Sequence, residues 1–220
     1  MSYSSNKTAL IIGATGLVGK QVLNYLLASP IYNQIKILTR RSSGIQHEKL
    51  NEIFFDFDKP DANLVKADDI FCCLGTTIKK AGSEESFKKV DFQYPLQIGR
   101  LGKLNGASKY LIVSSMGADS KSFIFYNRVK GEIEKELTDL HYDTLHILRP
   151  SLLLGDRGGE TRLGEKIGEV LAKILDPVMI GPLRKYAAID SAKVARGMLE
   201  LAQSPQKGVF VHNSAELQRF

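Results

Sequence analysis

Six short apolar runs recur along the first 150 residues, at Thr8–Gly13, Gln34–Thr39, Asn51–Phe57, Asp69–Gly75, Lys109–Ser115 and Asp143–Pro150. Each has the length and β-branched or aromatic content of a buried strand, and none shows the strict apolar and polar alternation of a half-solvated one. Between them run stretches with helical spacing of apolar residues: Leu17–Ser29, which stops before Pro30, then Glu84–Asn105 and Lys121–His141. Strands alternating with helices specify a parallel sheet covered on both faces, an α/β doubly wound fold. After Pro150 the rhythm loosens. The pattern predicts a glycine-rich loop at Gly155–Gly159, helices at Arg162–Leu175 and Ser191–Gln203, and a last strand, "GVFVHN".

A chain of 220 residues with 43% hydrophobic and 25% charged residues has enough material for one full core. The C-terminal part is too small for a second core, so the expectation is a single domain over 1–220, with about 151–205 forming a small substrate-side cap. Lys and Arg exceed Asp and Glu by 30 to 24, but the two signs are interleaved throughout. That pattern suits anionic small molecules and excludes a nucleic-acid partner. Cys72 and Cys73 are adjacent within "IFCCLG" and cannot close a structural loop. They point to burial in a reducing cytoplasm. No apolar stretch reaches membrane-spanning length, so no membrane role is expected.

The first apolar run leads directly into "GATGLVG", with Gly13, Gly16 and Gly19, and then into a helix. In this strand–turn–helix setting, glycines let the backbone approach a pyrophosphate lying at the helix N-terminus, the signature of a Rossmann-type dinucleotide site. The G-x-x-G-x-x-G spacing is similar to that of extended and atypical short-chain dehydrogenases. An NAD site places an acidic residue on the ribose 2′-hydroxyl about 20 residues further on. Here the second strand ends in Thr39, Arg40 and Arg41, and two guanidinium groups suit a 2′-phosphate; the expected cofactor is NADP rather than NAD. The fourth run ends in "CCLGTT", which brings Leu74 and Gly75 to the ligand crevice at the carboxyl ends of the strands.

In "FIFYNRVKGEIEKEL", Phe125, Val129, Ile133 and Leu137 form an apolar stripe, while Tyr126 and Lys130 stand one turn apart on another edge. The run "KYLIVSSMGAD" before it ends at Ser114 and Ser115. Side chains alternate along a strand, so one serine is expected to face the crevice, and Ser115 is favoured. Ser115, Tyr126 and Lys130 converging there resemble the catalytic set of short-chain dehydrogenase/reductases. A free phenol titrates near pH 10, about three units from neutrality, and a nearby ammonium favours its ionised form. Tyrosine would then exchange a proton with a carbonyl or alcohol oxygen, serine would orient that oxygen, and Lys130 would also hold the nicotinamide ribose.

Together "GATGLVG", "TRR", "FCCLGTT", "SSMGAD", "Y-x-x-V-K-G-E-x-E" and "LRPSLLLGDR" resemble the Tat-interactive-protein-like oxidoreductases, atypical short-chain dehydrogenases that bind NADPH. The resemblance covers about Thr8 to Glu165. It implies cofactor contacts from Gly13, Thr15, Gly16, Leu17, Val18, Arg40, Arg41, Leu74, Gly75, Tyr126 and Lys130, with Leu153 and Arg162 added by the later motifs. It also implies Asp56 and the backbone of Phe57 near the adenine edge. The activity implied is NADPH-dependent reduction of a small carbonyl, or oxidation of an alcohol. The alternative is an NADPH-binding sensor that reports occupancy to a protein partner. The four histidines show no ligand spacing, so no metal is expected. Monomer and dimer remain equally open.

Overall fold

The computed structural model describes residues 6–155 and 187–220. Its main sheet has seven strands, all parallel: β1 (Lys7–Ile12), β2 (Tyr32–Thr39), β3 (Leu50–Phe54), β4 (Asp69–Cys72), β5 (Lys109–Val113), β6 (Thr144–Arg149) and β9 (Gly208–Asn213). They lie in the order β3-β2-β1-β4-β5-β6-β9, and β7 (Leu153–Leu154) pairs separately with β8 (Ile189–Asp190). The order reverses direction beside β1, and there the first turn and the end of β4 open a crevice. This is the expected α/β Rossmann-type doubly wound sheet.

Alternating side chains of β1 supply both cores. Ala9 and Ile11 face the helices α1 (Leu17–Ala28) and α6 (Ser191–Gln203), with Val22, Leu23, Leu26, Val194 and Met198 fully buried. Leu10 and Ile12 face α4 (Tyr94–Leu104) and α5 (Phe125–Thr138), joining Ile98, Ile133 and Leu137. Two short helices, α2 (Ile78–Ala81) and α3 (Glu84–Lys88), precede α4, and α7 (Ser214–Leu217) follows β9.

Several elements differ from the sequence reading. The helix expected at Glu84–Asn105 is interrupted by a π turn at Lys89–Gln93, where the Tyr94 amide bonds back to the Lys89 carbonyl. Pro95 is the cause: it has no N–H to give the Asp91 carbonyl and its ring crowds that group, so the chain widens by one turn. The helix expected at Lys121–His141 begins only at Phe125, because Ile124 is extended (φ −78°, ψ 117°). The third strand ends at Phe54, short of Asp56. Of the 151–205 stretch expected as a cap, Ser191–Gln203 packs in the core layer on α1; beyond that stretch, "GVFVHN" is a strand of the main sheet. The loop expected at Gly155–Gly159 and the helix at Arg162–Leu175 fall, Gly155 excepted, outside the described residues.

At the β6–β9 edge two histidines meet, His146 Nδ1 lying 3.0 Å from His212 Nε2. His146 stacks on Phe210 (ring centroids 5.2 Å apart), and its Nε2 is buried with no hydrogen-bond partner. Burial first, then the charges of His212 and Lys109, push the His146 pKa down to about 4, and burial also lowers that of His212. The folded state thus favours the neutral ring. Its contribution is complete above the unfolded value near 6.5 and is lost as pH falls from there toward about 4. Urea midpoints measured across this window should fall for the wild type and fall less steeply for His146→Leu.

Candidate functional site

The crevice is built on the absence of side chains. Gly13 has φ +82°, and a Cβ there would stand 2.5 Å from the carbonyl carbon and oxygen of Cys73. A Cβ on Gly19 would stand 2.1 Å from the Gly13 carbonyl oxygen. Bare backbone at these two points lets the β1–α1 turn settle against the end of β4, and the Gly16 amide closes the turn on the Gly13 carbonyl (3.0 Å). Helix α1 starts at Leu17 with no side-chain cap, which leaves its first amides available to an anion.

Beside this turn lies a cavity of about 360 Å³ lined by Gly13, Ala14, Thr15, Leu38, Thr39, Arg40, Arg41, Phe57 and Leu74. Thr39 shapes the arginine corner: its hydroxyl donates to the Arg41 carbonyl at 2.6 Å and accepts from the Arg41 amide at 3.3 Å. Both arginines are exposed. Phe57 lines the cavity and packs on Phe55 and Tyr94, with ring centroids 5.0 and 5.1 Å away. Asp56 is absent from the lining. It is exposed in the turn beyond β3, where Oδ1 accepts the Asp58 amide at 2.9 Å. The neighbouring carboxylate, Asp58, is the one tied to the crevice wall, accepting from Tyr94 Oη at 2.8 Å and from Lys89 Nζ at 2.9 Å.

Other expected contacts divide. Val18 is buried in the core, so its side chain is committed there. Leu17 is half-buried beside Gly155, and Gly75 is exposed past the end of β4. Leu153 packs against the core on the α1 side, away from the cavity lining, and Arg162 is outside the described residues. Cys72 is buried and Cys73 partly so, with Cys73 Sγ 3.8 Å from Met198 Sδ. Burial pushes the Cys72 thiol up to about 11 and Cys73 well above its usual value, so neither offers a thiolate at neutral pH.

The two serines after β5 have separate partners. Ser114 donates to Glu134, which is clasped by Arg149 through Nε (3.1 and 3.2 Å) and Nη2. Ser115 is buried and its Oγ has no hydrogen-bond partner among the described residues. A buried hydroxyl is seldom left unpaired, and a substrate or cofactor oxygen would satisfy this one. Tyr126 is the second residue of α5, half-buried with its ring 5.4 Å from that of Phe87. One turn on, Lys130 is 4% exposed, its Nζ 2.7 Å from Oδ1 of Asp91, itself 1% exposed. Burial alone would lower the lysine, but Asp91 and then Tyr126 hold its pKa above the ordinary value.

Asp91 is the group that sequence reading left without a role. Its signal was the motif F-x-x-V-D, Phe87 to Asp91, which the resemblance shares and which suggests a capping or packing residue near the site without chemistry of its own. The partner Lys130 is remote in sequence.

The sequence matches the NAD dependent epimerase/dehydratase family over residues 9–211. It is 35% identical over 210 residues to Protein HTATIP2 of Rattus norvegicus, spanning 92% of this chain and 84% of that protein. It is 33% identical over 208 residues to "Protein FMP52, mitochondrial" of Candida albicans, spanning 91% and 90%. Among solved structures, a UDP-N-acetylglucosamine 4-epimerase from Methanobrevibacter ruminantium superposes with a TM-score of 0.71 at 17% identity, over 98% of this chain and 81% of that one. A short chain dehydrogenase family protein from Francisella tularensis gives 0.64 at 15% identity, over 96% and 98%. The chain belongs to the NAD dependent epimerase/dehydratase family and stands within it beside HTATIP2 and FMP52, the atypical short-chain dehydrogenase/reductase branch its motifs resemble. The expectation of a cytoplasmic protein is overturned, since the FMP52 relatives from several fungi are named mitochondrial. An adjacent cysteine pair reports a reducing environment and does not single out one reducing compartment.

Two substitutions test this geometry. Gly19→Ala forces a Cβ into the Gly13 carbonyl and should cost about 1–3 kcal/mol in urea unfolding while abolishing nucleotide binding. Lys130→Met strands Asp91 in the interior without its counter-charge and should cost about 3–5 kcal/mol in the same assay.

Proposed function

We propose that the protein is an NADPH-dependent oxidoreductase that interconverts a small carbonyl compound and its alcohol. The observation that carries this reading is the buried Ser115 hydroxyl, without a partner among the described residues, in the segment between β5 and the helix that bears Tyr126 and Lys130. In the reducing direction a bound NADPH would supply hydride to the carbonyl carbon. Ser115 would donate a hydrogen bond to the carbonyl oxygen, and the Tyr126 hydroxyl would deliver the proton that turns that oxygen into the alcohol. Lys130, held charged, would stabilise the phenolate left behind.

The arginine corner supports NADPH over NADH. Arg40 and Arg41 line the cavity, and none of the described residues lining it is acidic. A ribose 2′-phosphate would find two guanidinium groups there, and a bare 2′-hydroxyl no carboxylate. On the substrate side, Met116, Phe123, Ile124 and Leu152 are exposed on segments that follow β5, precede α5 and follow β6. Such a rim suits an apolar carbonyl better than the nucleotide sugars named for the solved epimerases. The FMP52 names make a mitochondrial setting the one to test, by fractionation of the source cells.

Fluorescence titration should show NADPH binding at least about tenfold more tightly than NADH, with the preference lost in the double variant Arg40→Ala, Arg41→Ala. Across a panel of apolar aldehydes and ketones, Tyr126→Phe should lower kcat by about 10²–10⁴-fold and leave NADPH affinity little changed. Tight NADPH binding with no turnover by the wild type would replace the reductase by the sensor; absence of NADPH binding would remove both.

A further inference from the structure

The buried pair opposite Tyr126 has more built into it than charge neutrality. Asp91 Oδ1 lies 2.7 Å from Lys130 Nζ, while Oδ2 accepts the Thr76 amide at 2.9 Å. One carboxylate thereby joins α5 to the loop that follows β4, whose Leu74 lines the cavity. Oδ1 takes no aligned hydrogen bond, so its contact with the lysine is an ion pair first. A Cβ on Gly75 would sit 3.7 Å from the same oxygen, which places the loop backbone beside it. An ammonium has three donors, and Asp91 occupies one side of it. We propose that Asp91 is a positioning residue of this site: it keeps the Lys130 ammonium charged and fixed beside Tyr126, and it holds the Leu74–Thr76 loop to the same point.

The inference rests on the Tyr126 and Lys130 reading above and adds a residue to it. Among the described residues, the groups that act on Lys130 are Asp91 from the π turn, Tyr126 from its own helix and Cys72 from β4. Cys72 keeps its proton at neutral pH because burial raises it. Asp91 is the one carboxylate in the set. Without it a lysine this buried would favour the neutral amine, which has no field to offer a phenolate.

The test is a carbon-13 NMR titration of protein carrying lysine labelled at Cε, the Lys130 signal being the one missing from Lys130→Met. In the wild type its midpoint should lie above that of the exposed lysines; a midpoint at or below theirs overturns the proposal before any variant is made. Asp91→Asn keeps an acceptor for Thr76 and removes only the charge. It should lower the Lys130 midpoint by at least about one unit, a tenfold change in acidity. A midpoint within about 0.3 unit of the wild type would confine Asp91 to the Thr76 bond and sink the idea.

A second arm uses 9,10-phenanthrenequinone as the carbonyl probe. With it, Asp91→Asn should lower kcat at neutral pH at least about tenfold and change NADPH affinity by less than about threefold. If the wild type reduces neither this quinone nor the aldehydes and ketones, the reductase reading fails. The NMR result still decides the role of Asp91.

Discussion

Everything at the carboxyl edge of the sheet depends on how closely the first turn can approach the end of β4. The turn after β1 passes over Cys73 at a distance that a single methyl group would prevent, and the start of α1 lies against the Gly13 carbonyl just as tightly. Move that turn outward and the amides of α1, the arginine corner and the Leu74 wall no longer border one cavity. A side chain is an obstacle here, and three glycines in seven residues remove it.

The second constraint is electrostatic. Behind the loop that follows β4 lies a buried lysine, Lys130, which a low-dielectric interior tolerates only with a counter-charge. Asp91 provides it from an element that owes its shape to Pro95. A proline in the middle of a helix widens the coil next to the site, and the widened coil sends Lys89 to Asp58 on one flank and Asp91 to Lys130 on the other. The proline thus sets both ion pairs with no polar group of its own.

What could be read from the chain was whatever is decided locally. The glycine turn, α1, the helix Ser191–Gln203 and the strand "GVFVHN" each carry their own period and boundary residues, and all four lie where periodicity put them. Ser115 was favoured over Ser114 by strand alternation, yet both lie past the end of β5; the physical separation comes from Glu134, which accepts from Ser114 and is itself held by Arg149. Asp56 was assigned by analogy to a strand end, and the strand stops two residues earlier. Asp91 stayed silent because an acid on a helix is ordinary until its partner is known, and the partner arrives from another helix. The glycine turn and the arginine corner are local in the chain, whereas the Asp91–Lys130 pair is not.

The pairing of β6 with β9 also sets an order of events during synthesis. Strand β6 ends at Arg149, and the strand that covers its edge spans Gly208–Asn213. The layer that closes the outer face of α1, Ser191–Gln203, is made almost as late. Until the ribosome has delivered both, the growing chain carries an open parallel edge and a half-bare apolar helix. Those are surfaces on which chains stick to one another or to a chaperone. The glycine turn and the first five strands are made early, but the molecule is safe from aggregation only when Ser191–Gln203 and Gly208–Asn213 have docked.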